Sequence, residues 1–383
     1  MIERAERPPA LAATLAAAGE WLRAHAWIVG WWLVGRVAVF ATAAVVHALG
    51  PRGYLANDER AHLFGVLAGW DGHWYRRVAS GGYLLYPDRQ SSPAFFPLYP
   101  MLLRALHATG LGYAAIGFVL PTLFLLTALV AFHALSRELL GESVARRATV
   151  YVAVFPISYV FSMSYPEGLV LTAMSLAALA GLRRRWGLAA LFGAIAALAR
   201  PEGAFVALPL VALALADRHS LSPRRRGVAL GAALAPLAAL AAYPVYLAWA
   251  LDDLFAWSKA QSQWQRHFSP IGFVHTLERL PVAYDNSAWI VRDLGALALY
   301  VALLVVARRA GVPLAWIVAG AVVVVLPTFS GSFTSIARFG LLVPPVFWGL
   351  AVVGRDRRLD AAIRVASVGL LVAATATIAL SFP

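Results

Sequence analysis

Residues 113–136 read YAAIGFVLPTLFLLTALVAFHALS, a run of 24 residues without an acidic residue, lysine or arginine. A helix of about 20 apolar residues crosses the bilayer core, and backbone groups in lipid must be bonded within the helix. This run therefore predicts a transmembrane helix. Ten further apolar segments, some of them shorter, follow the same pattern: residues 27–49, 147–163, 166–182, 187–199, 203–216, 228–250, 291–307, 313–328, 338–353 and 362–380. The chain is predicted to be an all-α polytopic membrane protein with about eleven transmembrane helices.

The composition supports this class and excludes others. Hydrophobic residues make up 61% of the 383 residues and charged residues only 13%, whereas a water-soluble domain is about one quarter charged. The net charge of +13 would suit a nucleic-acid binder, but the arginines lie mainly in short loops between apolar segments, so no nucleic-acid partner is predicted. The absence of cysteine excludes disulfides, thiol catalysis and cysteine-ligated metal sites.

The arginine distribution predicts the orientation. With a cytoplasmic N-terminus, the cytoplasmic loops carry 19 basic and 8 acidic residues, and the opposite side carries 12 basic and 11 acidic residues. This is the positive-inside pattern. It favours two helices around Arg200 over one broken helix, since a single helix would reverse every later loop. Two long loops, residues 50–112 and 251–290, and three short turns are then extracytoplasmic: residues 163–168, 200–203 and 329–338.

The first long loop contains Trp70-Asp71-Gly72-His73-Trp74, within a region dense in aromatic and basic residues. Such composition is typical of the bilayer interface, and amphipathic interfacial helices are predicted to start at Asp71 and at Pro97. Two interpretations of Asp71 are open. In the first, Asp71 is a solvated N-cap that stabilises the helix by about 1 kcal/mol. In the second, its carboxylate is held among Trp70, His73 and Trp74 and serves as a general base.

Two of the short turns resemble each other, with Pro-Glu-Gly at residues 166–168 and Arg-Pro-Glu-Gly at residues 200–203. Glu167 and Glu202 are each expected to start a helix, where an acid stabilises the helix dipole by about 0.3–1 kcal/mol. Charges near membrane depth are costly unless they pair or bind something. Arg200 therefore either forms a structural ion pair with one of these acids or lines a polar cavity with them.

Basic residues also mark the late extracytoplasmic segments. Lys259, Arg266 and His267 lie in one polar run of the loop 251–290. This run is either a solvated helix or a site for an anionic headgroup or an acceptor. Arg338 follows a segment of serine, threonine and glycine residues at the mouth of a predicted helix. Its planar guanidinium suits a phosphate, and snorkelling to the interface is the alternative.

Several cofactor and nucleotide motifs are missing. The sequence has no Gly-rich nucleotide loop, no HExxH pattern and no Gly-x-Ser-x-Gly elbow, so a nucleotide-sugar donor is not supported. A lipid-linked donor is favoured, because its phosphate lies at the interface and its tail stays in the bilayer. No metal site and no cofactor are predicted, although a divalent cation is left open.

The Trp70-Asp71 pair, the downstream Phe-Phe-Pro-Leu-Tyr-Pro of residues 95–100, the Pro-Glu-Gly turn of residues 166–168 and the late Arg338 carry a resemblance. Over most of its length the chain resembles the PIG-V (GPI mannosyltransferase 2) family and its bacterial relatives. This resemblance implies one transmembrane catalytic domain, residues 1–383, with the helical bundle of the GT-C glycosyltransferases.

The resemblance also implies a reaction, in which mannose passes from polyprenyl-phosphate mannose with inversion. Asp71 matches the catalytic base of the class, and Arg338, with Arg200 and Arg266, would neutralise the departing phosphate. The remaining candidates are substrate-binding residues: Trp70, His73, Trp74, Glu167, Glu202, Lys259 and His267. Gly72 after the Trp-Asp pair and the shortness of the chain depart from eukaryotic relatives. These departures favour a glycolipid, glycan or protein acceptor at a bacterial plasma membrane.

Other functions remain open at this stage. A transporter or flippase for lipid-linked glycans, or a scaffold, would explain the many helices, but such transport predicts ionisable residues deep within the helices. An outward ligase of the O-antigen type would explain a lipid-linked substrate, but ligases of this type place their key loop late. The richest loop here is the first.

Overall fold

The computed structural model describes residues 10–49, 65–216, 221–278 and 287–380, and these ranges form helices without any strand. Both predicted long loops lie partly outside the described residues, at residues 50–64 and 279–286. Residues 1–9 of the predicted cytoplasmic N-terminus also lie outside them. The sixteen α-helices of the described ranges are, in chain order, α1 (Ala10–Leu49), α2 (Asp71–Gly81), α3 (Leu98–His107), α4 (Tyr113–Leu140), α5 (Glu142–Val154), α6 (Glu167–Leu182), α7 (Trp186–Ala199), α8 (Ala207–Ala216), α9 (Pro223–Leu251), α10 (Ala256–Gln263), α11 (Gly272–Glu278), α12 (Ser287–Arg309), α13 (Leu314–Val325), α14 (Ile336–Phe339), α15 (Pro344–Val353) and α16 (Arg357–Leu380).

Helix length and hydropathy agree with a multi-pass membrane protein. Within the described ranges, five helical segments are long and apolar enough to cross a bilayer: Arg23–Leu49, Tyr113–Leu140, Pro223–Leu251, Trp289–Arg309 and Arg357–Leu380. The segments Ile336–Leu342 and Pro344–Val353 meet at 86°, as in a broken span or a re-entrant loop. Four further apolar segments are shorter: Glu167–Leu182, Trp186–Ala199, Pro201–Ala216 and Leu314–Ser330. The all-helical architecture is as predicted, and the count of about eleven crossings stays a prediction.

Helix α6 lies inside the bundle, and most of its residues are buried. It packs against α4, α7 and α8. Gly168 explains the close approach to α4, because a Cβ at this position would lie 2.9 Å from the backbone nitrogen of Leu125. Small residues at helix contacts bring backbones together in this way. The N-terminal end of α6, which begins at Glu167, is therefore surrounded by other elements of the chain.

The chain turns back at Arg200. Helix α7 ends at Ala199, Arg200 is extended (φ −158°, ψ 148°), and a 3₁₀ turn spans Pro201–Val206. A Cβ on Gly203 would lie 2.2 Å from the carbonyl oxygen of Ala196. Residues seven apart in one straight helix are separated by about 10.5 Å along its axis. The contact therefore excludes one straight helix through Arg200, and the two separate crossings stay a prediction.

Charged residues that are predicted to lie on opposite sides of the membrane flank the two ends of α6. Directly after its C-terminal end, Arg183 pairs with Glu138 (2.8 Å). Glu167 begins the other end, and 16 residues of helix separate the two by about 24 Å. The assignment of the Glu167 end to the extracytoplasmic side stays a prediction.

Single-cysteine labelling tests that orientation, since the chain has no native cysteine. Asp88 is exposed between α2 and α3, and Ala310 is exposed between α12 and α13. We expect a membrane-impermeant maleimide to label Asp88→Cys on intact cells and Ala310→Cys only after permeabilisation, because the positive-inside pattern places these loops on opposite sides. The reverse labelling pattern would overturn the orientation.

Candidate functional site

Five acidic and basic side chains from four separate parts of the chain meet at the N-terminal end of α6. Asp71 comes from the start of α2, Glu167 from the start of α6, Arg200 and Glu202 from the turn after α7, and Arg338 from α14. We refer to these five residues as the ionic cluster. Each of its carboxylates lies in the first turn of a helical segment, where the backbone N–H groups favour negative charge.

Asp71 is held at the exposed edge of the cluster. Its carboxylate lies 2.6 Å from Nη1 of Arg338, its backbone N–H donates to the Tyr165 hydroxyl (3.2 Å), and 26% of its side chain is exposed. The N-cap of α2 is Trp70 (φ 56°), and no side chain caps the helix. The N-cap reading of Asp71 is therefore wrong, because its carboxylate faces an arginine of a distant helix instead of its own backbone.

Gly72 explains how α2 comes so close to the turn before α6. A Cβ at Gly72 would lie 3.0 Å from Cβ of Ser164, and Ser164 donates its backbone N–H to the Leu67 carbonyl (3.1 Å). A larger residue would push α2 away from this turn. The glycine after the Trp-Asp pair thus helps to bring Asp71 next to Tyr165.

Arg200 joins the two buried acids of the cluster. Its Nη1 donates to Glu167 (2.8 Å), and its Nε and Nη2 donate to the two carboxylate oxygens of Glu202 (both 3.0 Å). Glu167 is fully buried, and Arg200 and Glu202 are 7% and 8% exposed. Arg200 therefore pairs with both predicted partners. Each nitrogen of its guanidinium donates to a carboxylate oxygen, so the ion-pair alternative is the one observed.

Arg338 bridges the exposed and buried halves of the cluster. Its Nη1 contacts Asp71 and its Nε contacts Glu167, each at 2.6 Å, and its guanidinium carbon lies 4.6 Å from the ring centre of Tyr165. Only 14% of the side chain is exposed. The snorkelling reading is therefore wrong. Glu167 Oε2 has no hydrogen-bond partner among the described residues, so the second oxygen of the central carboxylate is unsatisfied.

Arg266 lies beside the cluster without joining it. Its guanidinium carbon is 5.7 Å from the ring centre of Phe339, as is that of Arg200, and its Nη2 lies 3.4 Å from the Thr334 carbonyl. Burial lowers the pKa of Arg266 below its ordinary value, and the attraction of Asp71 offsets this only in part. In the described ranges Arg266 makes no ion pair. It is a partly buried cation, and only one of its guanidinium nitrogens donates a hydrogen bond to a described residue.

Aromatic side chains of the first loop flank Asp71. Trp74 stacks on Phe95 (5.7 Å between ring centres, 4° between planes) and meets Trp264 edge-on at 5.5 Å. Trp70 lies edge-on to Trp289 at 6.3 Å. These contacts fix both tryptophans next to the carboxylate. Their positions agree with substrate-facing residues, and that role stays a prediction.

His73 and the two candidates of the later loop have other surroundings. Burial and then the charge of Arg77 lower the pKa of His73 below its usual value, so its imidazole is neutral at pH 7. Lys259 pairs with Asp253 (2.6 Å) on the exposed side of α10. His267 is exposed, and its backbone N–H donates to the Ser330 carbonyl (2.9 Å). Neither Lys259 nor His267 contributes to the ion pairs of the cluster.

Sequence reasoning overlooked Asp293. This residue of α12 is 1% exposed, and its carboxylate accepts the backbone N–H groups of Ser335 (3.1 Å) and Ala337 (2.8 Å), immediately before Arg338. The available signal was an acid beside Arg292 at the start of an apolar run. Among the described residues, no three histidine or acidic side chains are grouped so as to hold a metal ion.

No protein-family model and no curated protein matches the sequence. In overall helix arrangement the chain is similar to the archaeal oligosaccharyltransferase AglB from Archaeoglobus fulgidus, solved with an inhibitory peptide and a dolichol-phosphate. The TM-score is 0.44 with 13% identity, over 94% of this chain and 56% of that one. A structure of the Archaeoglobus fulgidus oligosaccharyltransferase with Zn and sulfate gives 0.40 and 15%, over 90% and 52%. The chain thus spans about half the length of these structures.

Proposed function

We propose that this protein is an inverting glycosyltransferase of the GT-C class that takes a sugar from a polyprenyl phosphate on the extracytoplasmic side of the membrane. Mannose is the proposed sugar, and the acceptor is a glycolipid, a glycan or a protein. One observation carries the proposal: a partly exposed carboxylate, Asp71, is held 2.6 Å from an arginine, Arg338, at one end of a helical membrane bundle. A base and a phosphate-binding cation are the two groups that such a transfer requires.

In the proposed reaction Asp71 is the general base. The acceptor hydroxyl gives its proton to Asp71 while its oxygen forms a bond to the anomeric carbon. The bond between that carbon and the phosphate oxygen breaks, and its electron pair stays on the phosphate. The products are the glycosylated acceptor, polyprenyl phosphate and a protonated Asp71, which returns its proton to water. A single displacement inverts the anomeric centre.

Charge and bonding favour Arg338 and Arg266 over Arg200 as phosphate ligands. The cluster holds three carboxylates and two arginines, so Arg266 brings the local charge to zero. Arg200 donates from each guanidinium nitrogen to a carboxylate, whereas within the described ranges Arg266 makes one hydrogen bond, of 3.4 Å, to a backbone carbonyl. Arg338 can exchange Asp71 for a phosphate and leave this carboxylate unpaired for the acceptor proton. Arg200 would then hold the two buried glutamates in place.

We expect Arg266→Ala to weaken donor binding, because a hydrogen bond to a charged group contributes about 1.5–3 kcal/mol and its loss is worth about 10–100-fold in affinity. The measurement is the KM of the lipid-linked donor in proteoliposomes, with kcat much less affected. Arg89→Ala is the matched control, since Arg89 is an exposed arginine that contacts the Tyr86 ring at 4.0 Å. Equal donor KM values for the two variants would contradict the role of Arg266.

The decisive test of the function is product analysis. Purified protein in proteoliposomes is supplied with labelled polyprenyl-phosphate mannose, polyprenyl-phosphate glucose or a lipid-linked oligosaccharide, together with a membrane extract as the acceptor source. We expect label to pass from a polyprenyl-phosphate monosaccharide to a new product with release of polyprenyl phosphate. Transfer from the oligosaccharide alone would replace the proposed donor, and absence of transfer from all three would overturn the proposal.

Arg36 supports a second candidate function, a transporter or flippase for lipid-linked glycans. This arginine of α1 is 2% exposed, and it donates to the Ser158 carbonyl (3.1 Å) and to the Ser162 hydroxyl. Its Nε has no partner among the described residues, and an ionisable group inside a membrane bundle is a functional candidate. Movement of a fluorescent lipid-linked glycan between leaflets, without sugar transfer, would favour this candidate.

A further inference from the structure

We infer that Asp293 is a positioning residue, which sets the location of Arg338 by holding the backbone on its N-terminal side. The inference rests on the proposed function for its catalytic consequence. The carboxylate of Asp293 is buried, and each of its oxygens accepts a backbone N–H of the segment that leads to Arg338: Oδ2 from Ser335 (3.1 Å) and Oδ1 from Ala337 (2.8 Å). No side chain at the N-terminus of α14 caps this helix. The Asp293 carboxylate accepts the backbone N–H groups there instead.

The segment needs such support. Helix α14 has only four residues, and a single turn is unstable alone because nucleation fixes several dihedral angles for one hydrogen bond. Ser335, at its N-terminus, has φ +77°, the left-handed conformation that residues other than glycine rarely adopt. Such a conformation persists where surrounding contacts determine it. The bond from the Ser335 N–H to Asp293 is a contact of this kind.

A second residue of α12, Tyr300, also binds the backbone of this segment. The Tyr300 hydroxyl donates to the Ala337 carbonyl (2.7 Å). The Tyr300 ring also packs against Gly340, where a Cβ would lie 2.0 Å from the ring. Asp293 and Tyr300 thus bind the N–H and the carbonyl of one residue, Ala337, next to Arg338. The backbone at Arg338 is thereby fixed to α12.

The charge of Asp293 is balanced outside the ionic cluster. Arg292 pairs with it (2.9 Å), and the Arg292 guanidinium lies 4.5 Å from the ring centre of Trp289. Trp289 in turn contacts Trp70, the residue before Asp71. The same end of α12 therefore contacts both the segment that carries Arg338 and the start of α2. It fixes the two ends of the Arg338–Asp71 ion pair relative to each other.

Hydrogen exchange on the whole protein in detergent tests whether Asp293 holds the backbone at Ala337. In Asp293→Asn, which keeps one acceptor oxygen, we expect the Ala337 amide to exchange about tenfold faster than in the wild type, because local opening becomes easier. Tyr300→Phe should act in the same direction.

The matched control is Asp356→Ala. Asp356 also accepts backbone N–H groups, those of Arg358 (3.0 Å) and Leu359 (3.1 Å) in the first turn of α16, and its loss should leave the exchange of the Ala337 amide unchanged. Unchanged exchange at Ala337 in Asp293→Asn would overturn the inference.

A double-mutant cycle tests the link to Arg338. We expect Asp293→Asn to raise the donor KM about fivefold in the wild-type background and by less than about twofold in the Arg338→Ala background, because a residue that acts through another has no effect once the other is gone. Multiplied losses would overturn the inference and indicate a general effect on folding. A wild-type protein that neither binds nor uses polyprenyl-phosphate sugars would refute the proposed function instead, while the exchange of Ala337 would still decide the role of Asp293.

Discussion

Asp71→Asn is expected to lower the rate of sugar transfer by about 10²–10⁴-fold, the range that a positioned general base contributes. Asparagine has nearly the same size, and its carbonyl oxygen can still accept from Arg338, which lies 2.6 Å from the carboxylate. It cannot accept a proton from the attacking hydroxyl. We therefore expect kcat to fall while the affinity for the lipid-linked donor and the amount of folded protein stay near the wild-type values.

Asp88→Asn provides the control for this experiment, because Asp88 is an exposed acid of the same loop and its amide variant should transfer at the wild-type rate. The measurement is single-turnover transfer in proteoliposomes, with donor binding followed separately. A variant at position 71 that keeps its transfer rate would exclude Asp71 as the base. A variant that loses donor binding and transfer equally would assign Asp71 to binding.

The second large effect concerns stability. Arg200→Met should destabilise the protein by about 3–5 kcal/mol, the cost of removing one partner of a buried ion pair. Glu202 would lose the partner of both its oxygens, and Glu167, which is fully buried, would retain only Arg338. Methionine fills a similar volume, so the expected loss reflects uncompensated charge and not a cavity.

Arg183 offers a matched control, because it pairs with Glu138 through two nitrogens, as Arg200 does with Glu202, but its side chain is 46% exposed. Arg183→Met should cost only about 0–1 kcal/mol, as exposed ion pairs do. Unfolding in detergent, followed by circular dichroism, compares the two variants. The triple variant Glu167→Gln, Arg200→Met, Glu202→Gln should recover part of the lost stability. Equal destabilisation by Arg183→Met and Arg200→Met would show that the buried cluster has no special role in stability.

The ionic cluster has a buried half and a partly exposed half. Arg200, Glu167 and Glu202 are nearly inaccessible and brace the N-terminal ends of α6 and of the turn after α7. Asp71 and Arg338 are partly accessible, and in the proposed reaction they bind the acceptor hydroxyl and the donor phosphate. Arg338 belongs to both halves, since it contacts Glu167 and Asp71. Under the proposed function, binding of a phosphate to Arg338 would release the Asp71 carboxylate, so that the donor binds before the acceptor is activated.

The helical membrane class, the position of most helices and the break before Pro201 were evident from the amino-acid sequence alone. These features depend on local properties. An apolar run must be long enough to satisfy its backbone in lipid, and proline favours a first helical turn. Helix α2 begins at Asp71, and α3 begins directly after its N-cap residue, Pro97. The residues of the cluster were also evident as candidates, because charges at membrane depth are rare and costly.

The pairing of those charged side chains is evident only in the folded chain. A carboxylate at a helix start has the same sequence pattern whether it caps its own backbone or pairs with a distant arginine, so the role of Asp71 depended on where α14 brings Arg338. Asp293 had no motif, because its partners are backbone N–H groups of another segment. Desolvation and pairing depend on neighbours that are remote along the chain, and helix packing is what makes them neighbours.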